Sequence, residues 1–401
     1  MLLPPRREVF GKIGTVNNDK QSFLVVKMKS APRIFIFGLA AVFALSSCGS
    51  NDGAGSGSDS PEVVTPAIWS LTGLAGPDDA QLKPIVVVKV ENNSIVRPQT
   101  GLDHADLIFE ELVEGGASRF AAVFQSDIPD EVGPVRSVRH VDVSLASPIA
   151  DIFVFSGGAK KTMKYLGLEL PTAVSQVTEG APGMNRKPGV SAPNNLFLDT
   201  KQMLAAVAQS DTPSSGFFVP APVSAASPAP SSSASAGPAP VGKAVSTVEV
   251  AFSTLAEPNW KWNATDKLWM RSEGTKPFTN KDGSLFGTNN LVIIEIREVD
   301  AGYKGSTGGY VPRSVTSGSG RAWVLSNGKA VEVKWNKPTV ASQMELSDTN
   351  GNPFTMPTGR TWVELLPVET TGKYGFDGVP VPMINPPQPA AVPERDEITT
   401  P

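Results

Sequence analysis

A low-complexity stretch between residues 211 and 243 sets the first limit on how this chain folds. It contains the run VPAPVSAASPAPSSSASAGPAPVG, in which proline, alanine and serine replace the large apolar residues of a core. Because such a composition buries too little apolar surface to offset the entropy of folding, we predict a disordered linker. The stretch separates two folded regions, 63–210 and 244–378, or it enlarges a loop between them.

The composition of the whole chain is that of a globular protein. Its 401 residues are 40% hydrophobic and 18% charged, and this length suggests two domains. The formal net charge is only -4, so neither a basic face nor a nucleic acid partner is expected. With two histidines and one cysteine, we expect no metal site, and no cofactor is indicated.

The N-terminal segment has the parts of an export signal. A continuous apolar run, Ile34–Leu45, follows three basic residues: Lys27, Lys29 and Arg33. The run is too short for a membrane span, which needs about 20 apolar residues. We therefore predict that residues 1–47 are a signal peptide, with Met28 as a candidate for the true start.

The apolar run ends in Leu45-Ser46-Ser47-Cys48, which resembles the lipobox of bacterial lipoproteins. The resemblance implies that the Cys48 thiol receives a diacylglyceryl group, with fatty acids such as palmitate, and becomes the first mature residue. Two or three acyl chains anchor a protein stably. Residues 48–62 are then the lipidated cysteine and a flexible tether, which place the folded part at the extracytoplasmic face of the cell membrane. The alternatives are an ordinary secretory signal with a chance cysteine, or a buried free thiol.

The first region mixes strand and helix patterns, which predicts a mixed α/β N-terminal domain. Short β-branched runs predict strands at Pro84–Val90 and Asp151–Phe155. Ser156-Gly157-Gly158 then leads into a predicted helix, Ala159–Leu166, and this geometry offers the backbone N–H groups of Gly157 and Gly158 to an anion. Lys161-Thr162 lacks the spacing of a P-loop, so no nucleotide partner is expected.

A β-hairpin is predicted at Asp106–Gln125, with its turn centred on Gly115-Gly116. In this register Arg119 lies opposite Leu112. The polar face of the hairpin then carries three charged residues: Glu110, Glu114 and Arg119. This face is either a solvated surface with weak ion pairs or the polar floor of a ligand site.

Four residues beyond the hairpin have helical spacing: Arg136, Arg139, His140 and Val143. The pattern predicts a short helix, capped by Ser137, with two guanidinium groups and an imidazole on one face. Guanidinium groups suit a carboxylate or another anion, and the alternative is that they pair with the glutamates of the hairpin. The candidate ligand-binding residues are Glu110, Glu114, Arg119, Arg136, Arg139, His140, Gly157 and Gly158.

The second region, 244–378, is predicted to be β-rich. Asn290–Arg297 has a strong strand pattern, and a hairpin is predicted at Arg321–Trp335 because Asn327-Gly328 favours a type I′ turn. Six tryptophans lie in this region: Trp260, Trp262, Trp269, Trp323, Trp335 and Trp362. They either fill a β-sheet core or stack on a sugar ligand. The proline-rich residues 379–401 are predicted to be a loose tail.

Three runs in the first region resemble the YerB-like lipoprotein family: RPQTGLDHADLIFEELVEGGASRF, VGPVRSVR and FSGG. The likeness covers about Pro84 to Pro367 apart from the low-complexity stretch. It implies an N-terminal domain and a separate C-terminal domain, and it implies no particular reaction. Relatives typically have a histidine at the position of Asn194. If that histidine is catalytic in relatives, its absence here favours binding.

These patterns leave three functions open. The first is a lipid-anchored protein that binds a ligand, a cell-wall component or an envelope protein. The second is an enzyme on a cell-wall polymer, because paired carboxylates hydrolyse glycosides when they lie about 5–9.5 Å apart. Its acid or base would be Glu110, Glu111 or Glu114, and Arg136 or Arg139 would position an anion. The third is a structural assembly partner. We favour the first, because the sequence contains no recognisable nucleophile motif.

Overall fold

The structure is a computed structural model that describes residues 67–169, 173–175, 181–207, 212–219, 242–305 and 308–387. The predicted signal peptide with its lipobox, Cys48, the tether, most of the 211–243 stretch and the end of the predicted tail lie outside these ranges. Across the part of the chain that is described, no helix has the length and apolar character needed to cross a membrane.

The first region contributes eight strands and three α-helices among its described residues. The strands are β1 (Val86–Glu91), β2 (Leu107–Leu112), β3 (Ser118–Phe124), β4 (Glu131–Val132), β5 (Ile152–Phe155), β6 (Ala173–Ser175), β7 (Met184–Arg186) and β8 (Leu196–Asp199). The helices are α1 (His140–Ala146), α2 (Lys160–Glu169) and α3 (Thr200–Ala206). Asp199 caps α3, because its side chain accepts a hydrogen bond from the Gln202 backbone N–H.

The second region contributes fourteen strands among its described residues. They are β9 (Lys243–Ala244), β10 (Thr247–Ala251), β11 (Pro258–Asn263), β12 (Leu268–Glu273), β13 (Lys276–Pro277), β14 (Gly287–Thr288), β15 (Asn290–Asp300), β16 (Pro312–Val315), β17 (Gly318–Ser326), β18 (Lys329–Lys337), β19 (Glu345–Ser347), β20 (Thr361–Pro367), β21 (Lys373–Phe376) and β22 (Val379–Pro380). The described part of the predicted tail begins with β22. Beyond this strand, the Ile384 backbone N–H donates a hydrogen bond to the side chain of Glu295 in β15.

Strands from both regions form one twelve-stranded sheet. Its order is β19-β18-β17-β15-β20-β2-β3-β1-β5-β6, and β16 and β9 attach to β15 and β18. The two regions meet where β2 runs parallel to β20, with Phe109 opposite Val363. The 211–243 stretch therefore lies in the connection between two parts of a single sheet.

The large sheet is covered on both faces, which explains why its central strands are buried along their whole length. One face packs against a second sheet, β13-β12-β11-β10-β21-β22 with β14 beside β12. The other face packs against α1, α2 and the segment around Phe217. A third sheet, β4-β8-β7, extends the first core together with α3. Because both faces are buried, the sequence of a strand such as β1 is an apolar run, which here is interrupted by Lys89 and ends in Glu91.

Most tryptophans of the second region belong to the core, as one of the two interpretations predicted. Trp260, Trp269, Trp335 and Trp362 are at most 2% exposed, so none of these four is available to a sugar. The Trp362 ring packs edge-on against Phe120 of the first region at 5.0 Å between centroids. Trp262 and Trp323 are half-buried and pack against the same core.

The chain is mostly β-sheet, and the β-rich prediction is confirmed for the second region. The α/β character expected of the first region is limited, among the described residues, to the parallel strands β1, β5 and β6 with α1 and α2. Strand β5, helix α2 and strand β6 form a β-α-β unit, and β1 pairs in parallel with β5. The remaining pairings of the described strands in this region are antiparallel, except that of β2 with β20.

The prediction that Arg136 and Arg139 lie in a helix capped by Ser137 is wrong. Residues 136–139 are extended, and α1 begins at His140. The Arg136 N–H donates to Lys89 O (2.8 Å), and the Val138 N–H donates to Gly157 O (2.8 Å). These bonds to β1 and to the segment after β5 satisfy the backbone that a helix would otherwise have satisfied itself.

The predicted hairpin exists, but its register is one residue away from the prediction. Arg119 lies opposite Glu111, not opposite Leu112. The turn is Glu114–Gly116, closed by a hydrogen bond from Val113 N to Ala117 O, with both glycines at positive φ. A shift of one residue moves side chains to the other face, so Glu110 and Arg119 do not share a face.

Candidate functional site

The candidate residues that come together do so at the carboxyl ends of two parallel strands. Glu91 ends β1, Ser156 follows β5, and the two strands run side by side in parallel. In α/β sheets, ligands bind in the crevice outside the carboxyl ends of such strands. The extended segment 136–139 crosses this edge, because it is bonded to Lys89 on one side and to Gly157 on the other.

Three guanidinium groups share two carboxylates at this edge. Arg136 Nε lies 2.7 Å from Glu91 Oε2, and Arg119 Nε lies 3.7 Å from the same oxygen. Arg139 binds Glu114 Oε2 through two nitrogens, at 2.6 and 2.7 Å. The other oxygen of Glu91 accepts hydrogen bonds from the Asn92 and Asn93 backbone N–H groups. We call Arg119, Arg136 and Arg139 with their two glutamates the guanidinium site.

The close approach of the guanidinium groups affects the pKa of Arg119. Burial, together with the neighbouring charges of Arg139 and Arg136, lowers the pKa of Arg119 to about 10. Arg119 therefore remains a cation at neutral pH, although its burial and the neighbouring positive charges disfavour the charged form. Burial alone would raise the pKa of Glu114, but the charge and hydrogen bonds of Arg139 lower it, so Glu114 is ionised.

Two serines and a backbone carbonyl complete the surface of the site. Arg119 and Arg139 each donate to Ser137 O, at 3.4 and 3.3 Å. The Ser137 and Ser156 hydroxyl groups lie 3.3 Å apart. The side chains of Arg136 and Arg139 are 16% and 13% exposed, so the site opens to solvent at these two residues.

A fully buried network of ion pairs lies next to the site and is hydrogen-bonded to the backbone of Arg139. Lys89 Nζ forms ion pairs with Glu111 and Asp142, and the Asp142 pair is 2.8 Å long. The second oxygen of Asp142 accepts the Arg139 N–H at 2.5 Å and so caps α1. Burial and the charge of Asp142 raise the pKa of Glu111 to about 7, although Lys89 opposes the shift. The network fixes the position of Arg139 relative to β1 and β2.

Gly157, Gly158 and His140 lie beside the guanidinium site in packing positions. Gly157 has φ 133 and accepts the Val138 N–H. A Cβ on Gly158 would lie 2.6 Å from Val138, so glycine lets the 136–139 segment approach closely. His140 is buried and stacks on Tyr165 of α2, with 4.3 Å between ring centroids.

Glu110 does not belong to this site. It lies on the opposite face of the sheet, where Arg271 Nη2 donates to Glu110 Oε2 at 2.9 Å, and Ser118 and Asn92 bind its other oxygen. Burial raises the pKa of Glu110 even though Arg271 opposes the shift. The Arg271 guanidinium is enclosed by aromatic rings, including Phe278 at 4.3 Å. This pair joins the first region to the second sheet.

Several important residues were missed from the sequence: Lys89, which is the ion-pair partner of Glu111, and Glu91, Asp142 and Arg271. A lysine inside the apolar run VVVKVE was a signal, because a lysine is rarely buried unless it is paired. Arg271 gave no comparable signal, since its partner Glu110 lies far away along the chain. Among the described residues, no group of three His, Cys, Asp or Glu side chains could hold a metal ion.

A cleft of about 280 Å³ lies next to the guanidinium site. Arg136 connects the two, because its Nη1 donates to Asn194 Oδ1 at 3.4 Å and Asn194 lines the cleft. Asn194, where the family resemblance implies a histidine, is therefore on the wall of the cleft.

Comparison with known proteins places both regions in one family. A family model described as "Protein of unknown function (DUF3048) N-terminal domain" matches residues 71–213, and its "C-terminal domain" counterpart matches residues 248–363. The chain belongs to the DUF3048 family. The resemblance to YerB-like lipoproteins, drawn from the hairpin and the runs that follow it, is confirmed. In this DUF3048 chain, both family domains contribute strands to the same twelve-stranded sheet.

The YerB protein of Bacillus subtilis resembles this chain in sequence, and its crystal structure shares the fold. The "Putative lipoprotein YerB" of Bacillus subtilis (strain 168) is 39% identical over 125 residues, which are 30% of this chain and 36% of that protein. The chain thus matches about a third of the length of this curated relative. The crystal structure of the YerB protein from Bacillus subtilis is similar with a TM-score of 0.62 at 20% identity, covering 77% of this chain and 99% of that chain. This DUF3048 chain therefore belongs to an uncharacterised lipoprotein family, and the relative's name is consistent with membrane anchoring.

Proposed function

We propose that this protein is a lipid-anchored protein of the extracytoplasmic face of the cell membrane that binds an anionic group of an envelope component at the guanidinium site. The observation that carries the proposal is the convergence of Arg119, Arg136 and Arg139 around Glu91 and Glu114 at the carboxyl ends of β1 and β5. The ligand is a carboxylate or a phosphate on a cell-wall component or on a partner protein.

The chemistry of the site suits such a ligand. Guanidinium groups present planar sets of donors that match carboxylate and phosphate oxygens, and they are less strongly hydrated than ammonium groups. Glu91 already occupies one such position, since its carboxylate receives two guanidinium groups and two backbone N–H groups. An external anion would bind on the exposed side of Arg136 and Arg139, whose side chains pair with Glu91 and Glu114.

The predicted anchor gives the site its location. Cys48, preceded by Leu45, Ser46 and Ser47, is separated from the first described residue by a segment rich in glycine, serine and aspartate. A flexible segment of this composition lets a folded body move near the membrane surface while it stays attached.

The alternative of an enzyme with paired carboxylates finds no support in the geometry. Glu110 and Glu111 lie on opposite faces of the sheet, are fully buried, and are paired with Arg271 and Lys89. Glu114 is bound by Arg139 and carries a lowered pKa, which is the reverse of what a general acid needs.

Co-sedimentation with isolated cell-envelope fragments tests the proposed function. The variants Arg136→Ala and Arg139→Ala are compared with Lys201→Ala. Lys201 is an exposed cation paired with Asp130 outside the guanidinium site, so this control removes the same charge elsewhere on the protein. We expect each arginine variant to weaken binding about tenfold or more, as the loss of a charge-assisted hydrogen bond implies, and Lys201→Ala to leave it unchanged. Equal binding by all three variants and the parent would refute the proposal.

A further inference from the structure

The cleft beside the guanidinium site is apolar and has no acidic side chain among the described residues that line it. Six of its lining residues are apolar: Ile95, Val96, Pro98, Pro134, Val190 and Phe197. Ile95 and Val190 are 75% and 44% exposed and belong to the same apolar wall, and a contiguous exposed apolar surface is typical of a binding site. An apolar wall of this kind favours an apolar group of the ligand.

Cationic and polar groups border this apolar surface. Lys281, in the turn between β13 and β14, lines the cleft and is exposed. No carboxylate of the described residues forms an ion pair with Lys281. At the wall formed by Asn194, Arg136 lies within hydrogen-bond distance of the amide oxygen. The cleft is thus apolar inside and positive where it meets its surroundings.

The cleft is built from both family domains. The segment after β1 and the segment before β8 come from the N-terminal domain, and Lys281 comes from the C-terminal domain. Ligand pockets occur preferentially at such junctions, and typical pockets measure about 300–1,000 Å³. A volume of about 280 Å³ therefore suits a small molecule or a single side chain, not an extended polymer.

We infer that the ligand of the guanidinium site is an amphipathic anion, which places its carboxylate or phosphate at Arg136 and a small apolar group in the adjoining cleft. This inference rests on the proposed function and adds the chemical class of the ligand to it. Two sources share this chemistry: a carboxylate next to an apolar side chain, and a phosphate ester of a small apolar alcohol. Lys281 favours the same ligand because it adds a second positive charge beside the cleft.

Two pairs of probes test the inference on the full-length protein by calorimetric titration. Acetate is compared with phenylacetate, and inorganic phosphate with phenyl phosphate. Because a phenyl ring buried in the cleft adds apolar contact, we expect the phenyl compound to bind about tenfold more tightly in at least one pair. The pair that shows the preference identifies the oxyanion. Equal affinity within both pairs would overturn the inference.

Variants locate the effect and separate the inference from the proposed function. Ser191→Trp fills the cleft and is expected to abolish the phenyl preference while inorganic phosphate or acetate binds as before, whereas Leu82→Trp, at an exposed position away from the cleft, is expected to keep it. Lys281→Ala is expected to weaken binding of the phenyl compound about threefold, and Lys276→Ala, at an exposed lysine on β13, to have no effect.

Failure of the proposed function and failure of the inference about the cleft give different experimental results. If Arg136→Ala leaves the binding of both small and phenyl anions unchanged, the proposed function fails. If Arg136→Ala weakens both but Ser191→Trp retains the phenyl preference, the inference about the cleft fails alone.

Discussion

At the scale of single residues, the buried charges dominate the behaviour of this protein. Lys89, Glu111 and Asp142 are fully buried beneath the guanidinium site, where Lys89 forms ion pairs with both acidic residues. Arg271 and Glu110 form a buried ion pair between the two sheets. Removal of one partner from such a pair leaves an uncompensated buried charge, which costs about 3–5 kcal/mol. These residues are therefore poor choices for testing binding, and the more exposed Arg136 and Arg139 are better ones.

The raised pKa of Glu111 predicts a dependence of stability on pH. Because Glu111 titrates near 7 in the folded protein and near 4.5 when unfolded, the folded state binds the proton more tightly. Its contribution is fully present below the unfolded pKa and is lost as pH rises through about 7, a fall in the free energy of unfolding on the order of 3 kcal/mol.

Urea denaturation at about pH 5 and about pH 8 checks this prediction in the parent and in Glu111→Gln. We expect the variant to lose less stability between the two pH values, because its side chain stays neutral. Glu110 and Glu364 also have raised pKa values, but they titrate in both proteins and cancel in the comparison. Identical losses in the two proteins would show that Glu111 does not titrate in this range.

Part of the candidate site could be predicted from the types of residue in the sequence. Pairing of the arginines with hairpin glutamates was among the stated alternatives, and it holds for Arg139 with Glu114, whereas Arg136 pairs with Glu91 of β1. The grouping of Glu110 with Arg119 was wrong, because it depended on a register that the turn shifts by one residue. Lys89, Glu91 and Asp142 were missed because their partners lie on other elements, and periodicity contains no information about such contacts.

At the scale of elements, the tight turn between β17 and β18 offers a sharp test. Asn327 and Gly328 have φ values of 50 and 68, and a Cβ on Gly328 would lie 2.8 Å from Trp262 Nε1. Gly328→Ala should therefore cost backbone strain of about 1 kcal/mol and, in addition, displacement of Trp262.

Gly274→Ala is the matched control for this turn, because Gly274 also has positive φ (54) but nothing lies within 4 Å of its Cβ position. Both free energies of unfolding come from urea titration. We expect Gly328→Ala to be the more destabilising by about 1 kcal/mol or more. Equal destabilisation would mean that Trp262 does not restrict the turn.

Strands and turns with strong local signals were predicted well, and elements fixed by distant partners were not. The β17–β18 hairpin followed from Asn-Gly, and β1, β5 and β15 followed from their β-branched runs. The helical spacing of Arg136, Arg139 and His140 misled because residues 136–139 are held extended by bonds to Lys89 and Gly157. Tertiary hydrogen bonds here override a local pattern.

At the scale of the whole molecule, the main finding is that one sheet joins the two regions that flank residues 211–243. The contact between β2 and β20 could not be predicted, since nothing in either strand identifies a partner so far along the chain. Continuous apolar strands such as β1 are typical of burial on both faces, which fits their place in the middle of a large covered sheet.

The anchor is a prediction about the whole molecule, because it fixes where the guanidinium site operates. Metabolic labelling with radioactive palmitate in a bacterial host should mark the parent and a Ser50→Ala control, and should leave Cys48→Ala unmarked. The unmarked variant should also leave the membrane fraction, since the acyl chains supply the stable attachment. Equal labelling of Cys48→Ala and the parent would exclude Cys48 as the acylated residue.

The central claim, that three arginines at the carboxyl ends of β1 and β5 bind an anion, is tested most directly by locating one. Crystals of the protein soaked in selenate or tungstate give an anomalous difference map in which the anion is identified by its own scattering. We predict a peak within hydrogen-bond distance of Arg136 and Arg139, and its loss in crystals of Arg136→Ala. Peaks confined to other surface cations, with none beside Arg136 and Arg139, would contradict the claim.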